Sequence, residues 1–241
     1  MTSADERYIP LTGTFNMRDV GGYPAADGRT TRWRTLLRSD ALHRADATGP
    51  VLRGYGLRTV LDLRTDAEAE FAPSSACGPD TRTVRISLIG ADIQEIPQRL
   101  ESVYHYLIDR RGDAIATVIG ELAAPGSVPA LVHCSAGKDR TGIVIGLVLA
   151  VLGVPDEVIA ADYSVSASRI DPSVLEALNH IPGSPAGNGS LTPDLLASPP
   201  SLLLDSLDRA RAAGGGTVEG YLTGHGLPPA SLDALRASLT Q

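Results

Sequence analysis

The stretch from Val128 to Leu152 constrains the fold and chemistry of this chain more than any other. It begins as an apolar segment of strand length (128–132), passes through a glycine-containing turn and ends in the apolar run 143–152. Such a run after a turn predicts a short buried helix. A strand that leads through a tight loop into a helix points several backbone N–H groups at one place, and the positive end of the helix dipole faces the same place. The sequence therefore predicts an anion-binding cup in this loop.

Two side chains at the predicted cup indicate which reaction it could support. Cys134 lies at its mouth, and Arg140 follows six positions later on the first turn of the helix. A thiol beside a helix N-terminus and an arginine loses its proton easily, and the thiolate is the nucleophilic form. The guanidinium fork of Arg140 matches two oxygens of a phosphoryl group. The pair predicts phosphoryl transfer to Cys134. The residues expected to hold the phosphate are Ser135, Ala136, Gly137, Lys138, Asp139 and Arg140.

Neighbouring residues fit the same interpretation. Gly137 lets the backbone approach the anion. Thr141 is placed to hydrogen-bond the thiolate, and His133 is placed to brace the loop from behind. The alternative is a buried structural cysteine with charged neighbours, but the charged run 138–140 at a helix start has no packing purpose.

The segment from His133 to Gly142 resembles the Cys-x5-Arg motif of the protein tyrosine and dual-specificity phosphatases. Its Gly-Lys-Asp-Arg-Thr-Gly ending is similar to the bacterial branch typified by mycobacterial protein tyrosine phosphatase B. Segments 15–22, 37–40 and 61–64 resemble that branch too, so the resemblance spans about residues 13–165. It implies an α/β phosphatase fold with a central, mostly parallel sheet flanked by helices. The segments after it predict a C-terminal helical and lid region.

The length suits a single phosphatase domain, 1–241. We expect its core at about 13–170, with a lid and closing helices at about 171–241. Residues 182–200 carry five prolines and three glycines. A segment so long and broken is typical of a mobile loop or lid.

Four further residues have two interpretations each. The resemblance implies that Arg18 and Asp19 support the phosphate loop; the alternative is a surface ion pair. Asp62 and Arg64 end a predicted strand, 58–64, and ligands of open parallel sheets bind outside the carboxyl ends of strands. The resemblance favours a site position for both, whereas the alternative is that Asp62 caps a turn or pairs with Arg64.

Phosphoryl transfer through cysteine also requires a neutral carboxylic acid that protonates the leaving oxygen and, once ionised, activates water. Asp139, within the loop, and Asp62, on the neighbouring strand, are both candidates, and Asp92 is a third. Tyr104 falls at the helical spacing of a packed face and is expected to serve packing. No His/Cys cluster suggests a metal, and the predicted reaction needs no cofactor.

The net charge of -7 at pH 7 argues against nucleic acid and anionic membrane surfaces as partners. Two cysteines exclude a disulfide scaffold; Cys77 is expected in a loop, with a redox pair to Cys134 as the alternative. No run approaches the ~20 apolar residues of a membrane span, so no stable membrane insertion is expected. The polar first ten residues lack the apolar core of a Sec signal. These features predict a cytoplasmic protein, while signal-independent secretion stays open because the branch includes secreted members.

Together these observations predict a cysteine-dependent phosphomonoester hydrolase of the tyrosine or dual-specificity type, inhibited by phosphate or vanadate-like anions. One alternative is a phosphatase of a small phosphorylated metabolite, such as a sugar, a nucleoside or an inositol lipid. Another is a non-catalytic phosphate-binding pseudophosphatase. A sulfurtransferase or arsenate reductase, which also uses a cysteine in an anion cup, is a third.

Overall fold

A five-stranded sheet forms the centre of the computed structural model, which describes residues 4–45, 50–74, 77–97, 99–170 and 196–241. Its strands are β1 Arg18–Asp19, β2 Leu36–Ser39, β3 Thr59–Asp62, β4 Arg82–Arg85 and β5 Ala130–His133, in the spatial order β1-β2-β5-β3-β4. β1 runs antiparallel to β2, and all other pairs are parallel. The predicted mostly parallel sheet is confirmed.

Helices cover the sheet in the described residues. They are α1 Ala4–Arg7, α2 Pro50–Tyr55, α3 Asp66–Phe71, α4 Leu100–Arg110, α5 Gly112–Ala123, α6 Asp139–Val151, α7 Asp156–Arg169, α8 Pro200–Ala213, α9 Val218–Gly224 and α10 Pro229–Leu239. The predicted C-terminal helices are therefore present. The predicted lid, 182–200, lies outside the described residues except for its last five positions. None of the described helices combines the length and apolar character that a membrane span requires.

The register of the parallel strands brings three strand ends to one edge of the sheet. Ser39 of β2 and Asp62 of β3 both lie opposite His133 of β5. Because parallel strands present their carboxyl ends together, the residues that follow these positions converge on one crevice. Cys134 is the next residue after β5 and therefore lies at the centre of that edge.

Two apolar clusters fill the two faces of the sheet, as the alternation of strand side chains dictates. Leu37 and Leu131 belong to the smaller cluster, with the N-terminal segment and α2. Leu36 and Val132 belong to the larger one, with α4 to α10. Burial on both faces is typical of parallel strands and explains why β5 is apolar without alternation.

The helix after the cysteine loop is buried on nearly all sides, as its sequence predicted. α6 packs against β5 and against α4, α5, α7 and α8. It begins at Asp139, four residues before the apolar run predicted as helix, because the polar residues of the motif form its first turn. An aspartate in that turn is favourable beside the positive end of the helix dipole.

The pattern of residues 32–38 predicts a strand, but this segment contains a turn before β2. Arg34 has φ of 60°, in the left-handed region. The Asp19 carboxylate accepts hydrogen bonds from the backbone N–H groups of Arg34 and Gly21, both at 2.8 Å. These two bonds stabilise the turn, so β2 begins only at Leu36.

Candidate active site

The loop from Cys134 to Lys138 is held by hydrogen bonds to its carbonyl groups. Ala41 N–H donates to the Ser135 carbonyl at 3.1 Å. The Asn16 amide donates to the carbonyls of Ala136 and Gly137 at 3.1 and 3.0 Å. In a planar trans peptide the C=O and the following N–H point in opposite directions. The anchored carbonyls therefore turn the N–H groups of residues 136–138 to the inner side of the loop.

Gly137 is required by both backbone conformation and space. Its φ is 65°, and a Cβ at this position would lie 2.4 Å from the Ser39 carbonyl oxygen. Gly142 is also tightly packed, because a Cβ there would lie 2.9 Å from the ring of Tyr163. That close neighbour belongs to α7, so Gly142 permits close contact between α6 and α7.

Arg140 is paired with a carboxylate that the sequence had not marked as part of the site. Its two terminal nitrogens donate to the two oxygens of Glu68, each at 2.6 Å, and Ser135 Oγ donates to Glu68 Oε1 at 2.6 Å. Burial alone would raise the pKa of Glu68, but the ion pair with Arg140 outweighs it and lowers the pKa to about 2. Glu68 is therefore ionised at neutral pH. The hydrogen bonds that Arg140 makes to described residues all come from its terminal nitrogens, and no described residue accepts one from its Nε.

A local motif places Glu68. It is the third residue of α3, whose N-cap Thr65 accepts from the Glu68 backbone N–H while Glu68 accepts from Thr65 N–H. This reciprocal arrangement is a capping box. The Thr-x-x-Glu spacing was visible in the sequence as a helix start, but nothing in it indicated that the same carboxylate reaches Arg140.

Arg18 supports the loop through an intermediate residue. Its guanidinium donates to Asn16, whose side chain anchors the loop, and its Nε lies 2.9 Å from Asp162 Oδ1. Arg38 donates to the same carboxylate and also to the Gly137 carbonyl at 2.8 Å. Burial opposes ionisation of Asp162, but the two arginines outweigh it and hold its pKa well below the usual range. The individual contributions of Asn16, Arg38 and Asp162 to the support of the loop were not predicted from the sequence.

Asp19 lies beside this network but serves the β1–β2 connection described above, and it is 3% exposed. Burial raises its pKa above the ordinary value despite the two backbone hydrogen bonds. The surface ion pair proposed as an alternative for Arg18 and Asp19 is not what the structure shows, because both side chains are buried and each has other partners.

Asp62 forms a buried, bidentate pair with Arg64. The Arg64 Nε and Nη2 atoms lie 2.8 and 2.9 Å from the two oxygens of Asp62, and both residues are 1% exposed. Burial opposes ionisation, but Arg64 and His133 outweigh it and hold the pKa of Asp62 well below its usual range. Arg64 also donates to the Ala72 carbonyl and to Ser74. These contacts suit the ion-pair interpretation better than a proton-donating role.

His133 and Thr141 lie on either side of Cys134 in the sequence and are fully buried. Burial lowers the pKa of His133 to about 4, so the ring is neutral at pH 7. Its Nδ1 lies 3.2 Å from the Cys134 carbonyl, which places the ring proton on Nδ1 as the donor. Thr141 Oγ1 is buried without a hydrogen-bond partner among the described residues. A hydroxyl without a partner next to the cysteine loop is available to a thiolate.

Asp139 is the carboxylate of the loop region with the most open surroundings. Its side chain is 26% exposed. One oxygen, Oδ1, accepts from the Tyr104 hydroxyl at 2.8 Å and lies 2.9 Å from Lys138 Nζ. Lys138 is itself 1% exposed and donates to the Ala197 carbonyl at 2.8 Å. The sequence had assigned Tyr104 to packing alone, but its hydroxyl contacts a candidate catalytic group.

The two remaining candidates lie in other surroundings. Asp92 accepts from the Tyr106 hydroxyl at 2.7 Å and pairs with Arg110, and neither of these partners belongs to the cysteine loop, residues 134–138. Cys77 packs in the smaller apolar cluster, whereas Cys134 packs in the larger one. Burial raises the pKa of the Cys77 thiol to about 11. Within the described ranges no three His, Cys, Asp or Glu side chains form a group that could hold a metal ion.

Comparison with known proteins gives consistent matches. A sequence model of a protein family, described as the tyrosine phosphatase family, matches residues 9–241 of this chain. A protein of Cupriavidus necator that carries the name tyrosine-protein phosphatase is 32% identical over 222 residues, covering 86% of this chain and 80% of that protein. The triple specificity protein phosphatase PtpB of Mycobacterium tuberculosis is 31% identical, covering 64% of this chain and 67% of that protein.

Other matches are more limited. A tyrosine-protein phosphatase of Nostoc commune is 34% identical over 134 residues, covering 52% of this chain, so the match spans less than half (46%) of that protein. Among solved structures, P. aeruginosa TpbA is 17% identical with a TM-score of 0.39, covering 74% of this chain and 89% of that one. A structure of P. aeruginosa TpbA in complex with phosphotyrosine has a TM-score of 0.38 at 18% identity, covering 56% of this chain and 71% of that one.

Proposed function

The chain belongs to the tyrosine phosphatase family, and from this premise we propose that it hydrolyses phosphomonoesters through a phosphorylated Cys134. The observation that carries the proposal is the anchoring of the loop carbonyls of residues 135–137, which turns the following N–H groups inward beside Cys134. Preorganised donors of this kind stabilise the negative charge of a phosphoryl group without reorganisation during the reaction. We also propose that residues 1–241 form one phosphatase domain.

In the first step the Cys134 thiolate attacks phosphorus in line with the leaving oxygen. The S–P bond forms as the bond between phosphorus and the leaving oxygen breaks. The inward N–H groups and the Nε edge of Arg140 bind the equatorial oxygens, while Glu68 keeps the guanidinium in place from its other edge. In the second step water attacks phosphorus, the S–P bond breaks, and the thiolate is restored.

We assign the general acid to Asp139 rather than Asp62. An acid must carry a proton when the leaving oxygen departs. Asp62 is buried against Arg64, which keeps it ionised, whereas Asp139 is partly exposed on the first turn of α6. Its protonated carboxyl gives the proton to the leaving oxygen, and the resulting carboxylate then takes a proton from the attacking water.

Aryl phosphates are the substrates that the surroundings of the loop favour. A small apolar cluster contains Ala136 of the loop, Ile170, Phe15 and Leu196. Lys138 is directed to Asp139 and to the Ala197 carbonyl. Because its ammonium group has these partners, we do not expect Lys138 to recognise additional phosphate groups of a substrate. We therefore propose phosphotyrosine as the preferred substrate, ahead of phosphoserine and phosphoinositides, with the cytoplasm as the site of action and phosphate or vanadate as inhibitors.

A comparison of kcat/KM tests this order across a phosphotyrosine peptide, a phosphoserine peptide, a phosphoinositide and soluble sugar and nucleoside phosphates. The phosphotyrosine peptide should be the best substrate, and Lys138→Ala should not change the ranking. A metabolite that exceeds the phosphotyrosine peptide about a hundredfold, roughly 2.7 kcal/mol of transition-state discrimination, would instead establish a metabolite phosphatase. Absence of p-nitrophenyl phosphate hydrolysis together with retained phosphate binding would identify a pseudophosphatase.

A further inference from the structure

We propose that Tyr104 is a positioning residue of this phosphatase, whose hydroxyl fixes one oxygen of Asp139 so that the other oxygen handles the proton. The inference rests on the proposed role of Asp139 as the general acid and extends it to a residue of another helix. Tyr104 lies on α4 and Asp139 on the first turn of α6.

Both contacts of the Asp139 side chain converge on the same oxygen. The Tyr104 hydroxyl donates to Oδ1 at 2.8 Å, and Lys138 Nζ lies 2.9 Å from Oδ1. No described residue donates a hydrogen bond to Oδ2. A carboxyl group with one oxygen held by two donors cannot rotate freely, so the direction of Oδ2 is fixed by the contacts of Oδ1.

This arrangement suits both halves of the reaction. In the neutral acid the proton is on Oδ2, and Oδ1 is a carbonyl oxygen that accepts hydrogen bonds. As the P–O bond breaks, the proton moves from Oδ2 to the leaving oxygen, and Oδ1 becomes a carboxylate oxygen that still accepts. When water attacks, its proton goes to Oδ2. The bond from Tyr104 is therefore retained while the proton leaves and returns.

Tyr104 is well suited to remain a donor. It is fully buried, and burial raises its pKa far above the ordinary value, so the hydroxyl stays protonated. Its oxygen lies 2.6 Å from the Tyr163 hydroxyl, and the two rings meet edge to face with centroids 6.1 Å apart. A hydroxyl has one hydrogen. Because the hydrogen of Tyr104 goes to Asp139, Tyr163 is the donor to the Tyr104 oxygen.

Tyr106 offers a matched control on the same helix. It is 2% exposed, and its hydroxyl donates to a carboxylate, Asp92, at 2.7 Å. Its oxygen also accepts from another residue, the N–H of Gly90, at 2.8 Å. Tyr106→Phe therefore removes a hydroxyl with similar burial and similar bonds, but one that has no contact with Asp139.

The experiment compares kcat for p-nitrophenyl phosphate, whose leaving group needs little protonation, with kcat for an alkyl phosphate, whose leaving group needs full protonation. Tyr104→Phe should lower kcat for the alkyl phosphate about tenfold and leave KM and the p-nitrophenyl phosphate rate within about twofold. Tyr106→Phe should change both rates by less than about twofold. In an Asp139→Asn background, Tyr104→Phe should cause no further leaving-group-dependent loss.

The positioning role would be overturned if Tyr104→Phe lowered kcat equally for both substrates. It would also be overturned if Tyr104→Phe caused the same alkyl-specific loss of kcat in the Asp139→Asn background. Either result would leave Asp139 as the acid. A lack of leaving-group dependence in Asp139→Asn alone would overturn the assignment of the acid itself. If Tyr104→Phe does not fold, Tyr163→Phe replaces it, because it removes the donor to the Tyr104 oxygen. A smaller alkyl-specific loss is then expected, and a loss equal on both substrates would refute the proposal.

Discussion

Glu68 accepts hydrogen bonds from both terminal nitrogens of Arg140, with N–O distances of 2.6 Å. Glu68 lies on α3, the helix that begins just after β3. Bidentate pairing fixes the plane of the guanidinium as well as its position. The plane of Arg140 is therefore set before any phosphate arrives. A fork that is already oriented loses less conformational entropy when substrate binds.

Glu68→Gln should weaken substrate binding and stability together. The amide keeps one acceptor but removes the charge that Arg140 faces in a buried site. We expect a rise in KM of about tenfold and a loss of about 3 kcal/mol in the free energy of unfolding. Steady-state kinetics and urea denaturation measure the two effects. Glu121→Gln is the control, because its pair with Arg82 is exposed and should contribute less than about 1 kcal/mol. An unchanged KM would show that Glu68 does not orient Arg140.

The stabilisation by Glu68 should disappear in acid. Its pKa falls from an ordinary 4.5 to about 2 in the folded protein. A carboxylate with a depressed pKa contributes stability fully above the ordinary value, and the contribution is lost as the pH falls through the folded value. The stability difference between wild type and Glu68→Gln should be constant above about pH 4.5 and shrink toward pH 2. A difference that stays constant over this window would contradict the ion pair.

Asp62→Asn should lower the free energy of unfolding, because it breaks the buried ion pair with Arg64. Removing one charge leaves Arg64 buried without its bidentate partner, which costs about 3–5 kcal/mol. Any fall in kcat should be the same for p-nitrophenyl phosphate and for an alkyl phosphate, because the residue does not transfer the proton. A loss confined to the alkyl phosphate would restore Asp62 as the general acid.

The positions of Cys134 after β5 and of Arg140 on the first turn of α6 could be predicted from the sequence because they are set locally. Cys134 and Arg140 lie within one strand–loop–helix unit, so spacing alone places them together. Glu68 could not be predicted, since its partner Arg140 lies 72 positions away and its visible function is a capping box. Tyr104 was assigned to packing because helical periodicity detects the buried face of a ring but not the partner of its hydroxyl. Lys138 was expected to hold the phosphate. Its side chain is instead buried and contacts Asp139 and the carbonyl of Ala197, a residue far along the chain.

The same limit applied to the fold. The apolar strands followed from hydrophobic patterns, which report burial directly. The mostly parallel sheet followed from the resemblance to the phosphatases. The turn at Arg34 was missed because it depends on a carboxylate of another strand, Asp19. Buried charges such as Asp162 were missed for a related reason. A charged side chain is expected to be exposed unless its charged partners are known, and the partners of Asp162 are Arg18 and Arg38.

Asp162→Asn should destabilise the loop supports. Arg18 and Arg38 would then lie buried beside each other without a compensating charge, and the expected loss in the free energy of unfolding is about 3–5 kcal/mol. Urea denaturation measures it, with Asp156→Asn as the control because its pair with Arg211 is partly exposed. Because Arg38 also holds the Gly137 carbonyl, we expect weaker phosphate binding in the same variant. Unchanged stability would contradict the proposed network.

Identifying the residue that is phosphorylated during turnover tests directly whether Cys134 is the nucleophile. Wild-type enzyme is mixed with an aryl phosphate, quenched within the first turnovers and digested, and the peptides are analysed by mass spectrometry. We expect a phosphoryl group on Cys134. It should be absent from Cys134→Ser, which should lose turnover but still bind phosphate. A phosphoryl group on another residue, or a Cys134→Ser variant that retains a substantial rate, would contradict the assignment of Cys134 as the nucleophile.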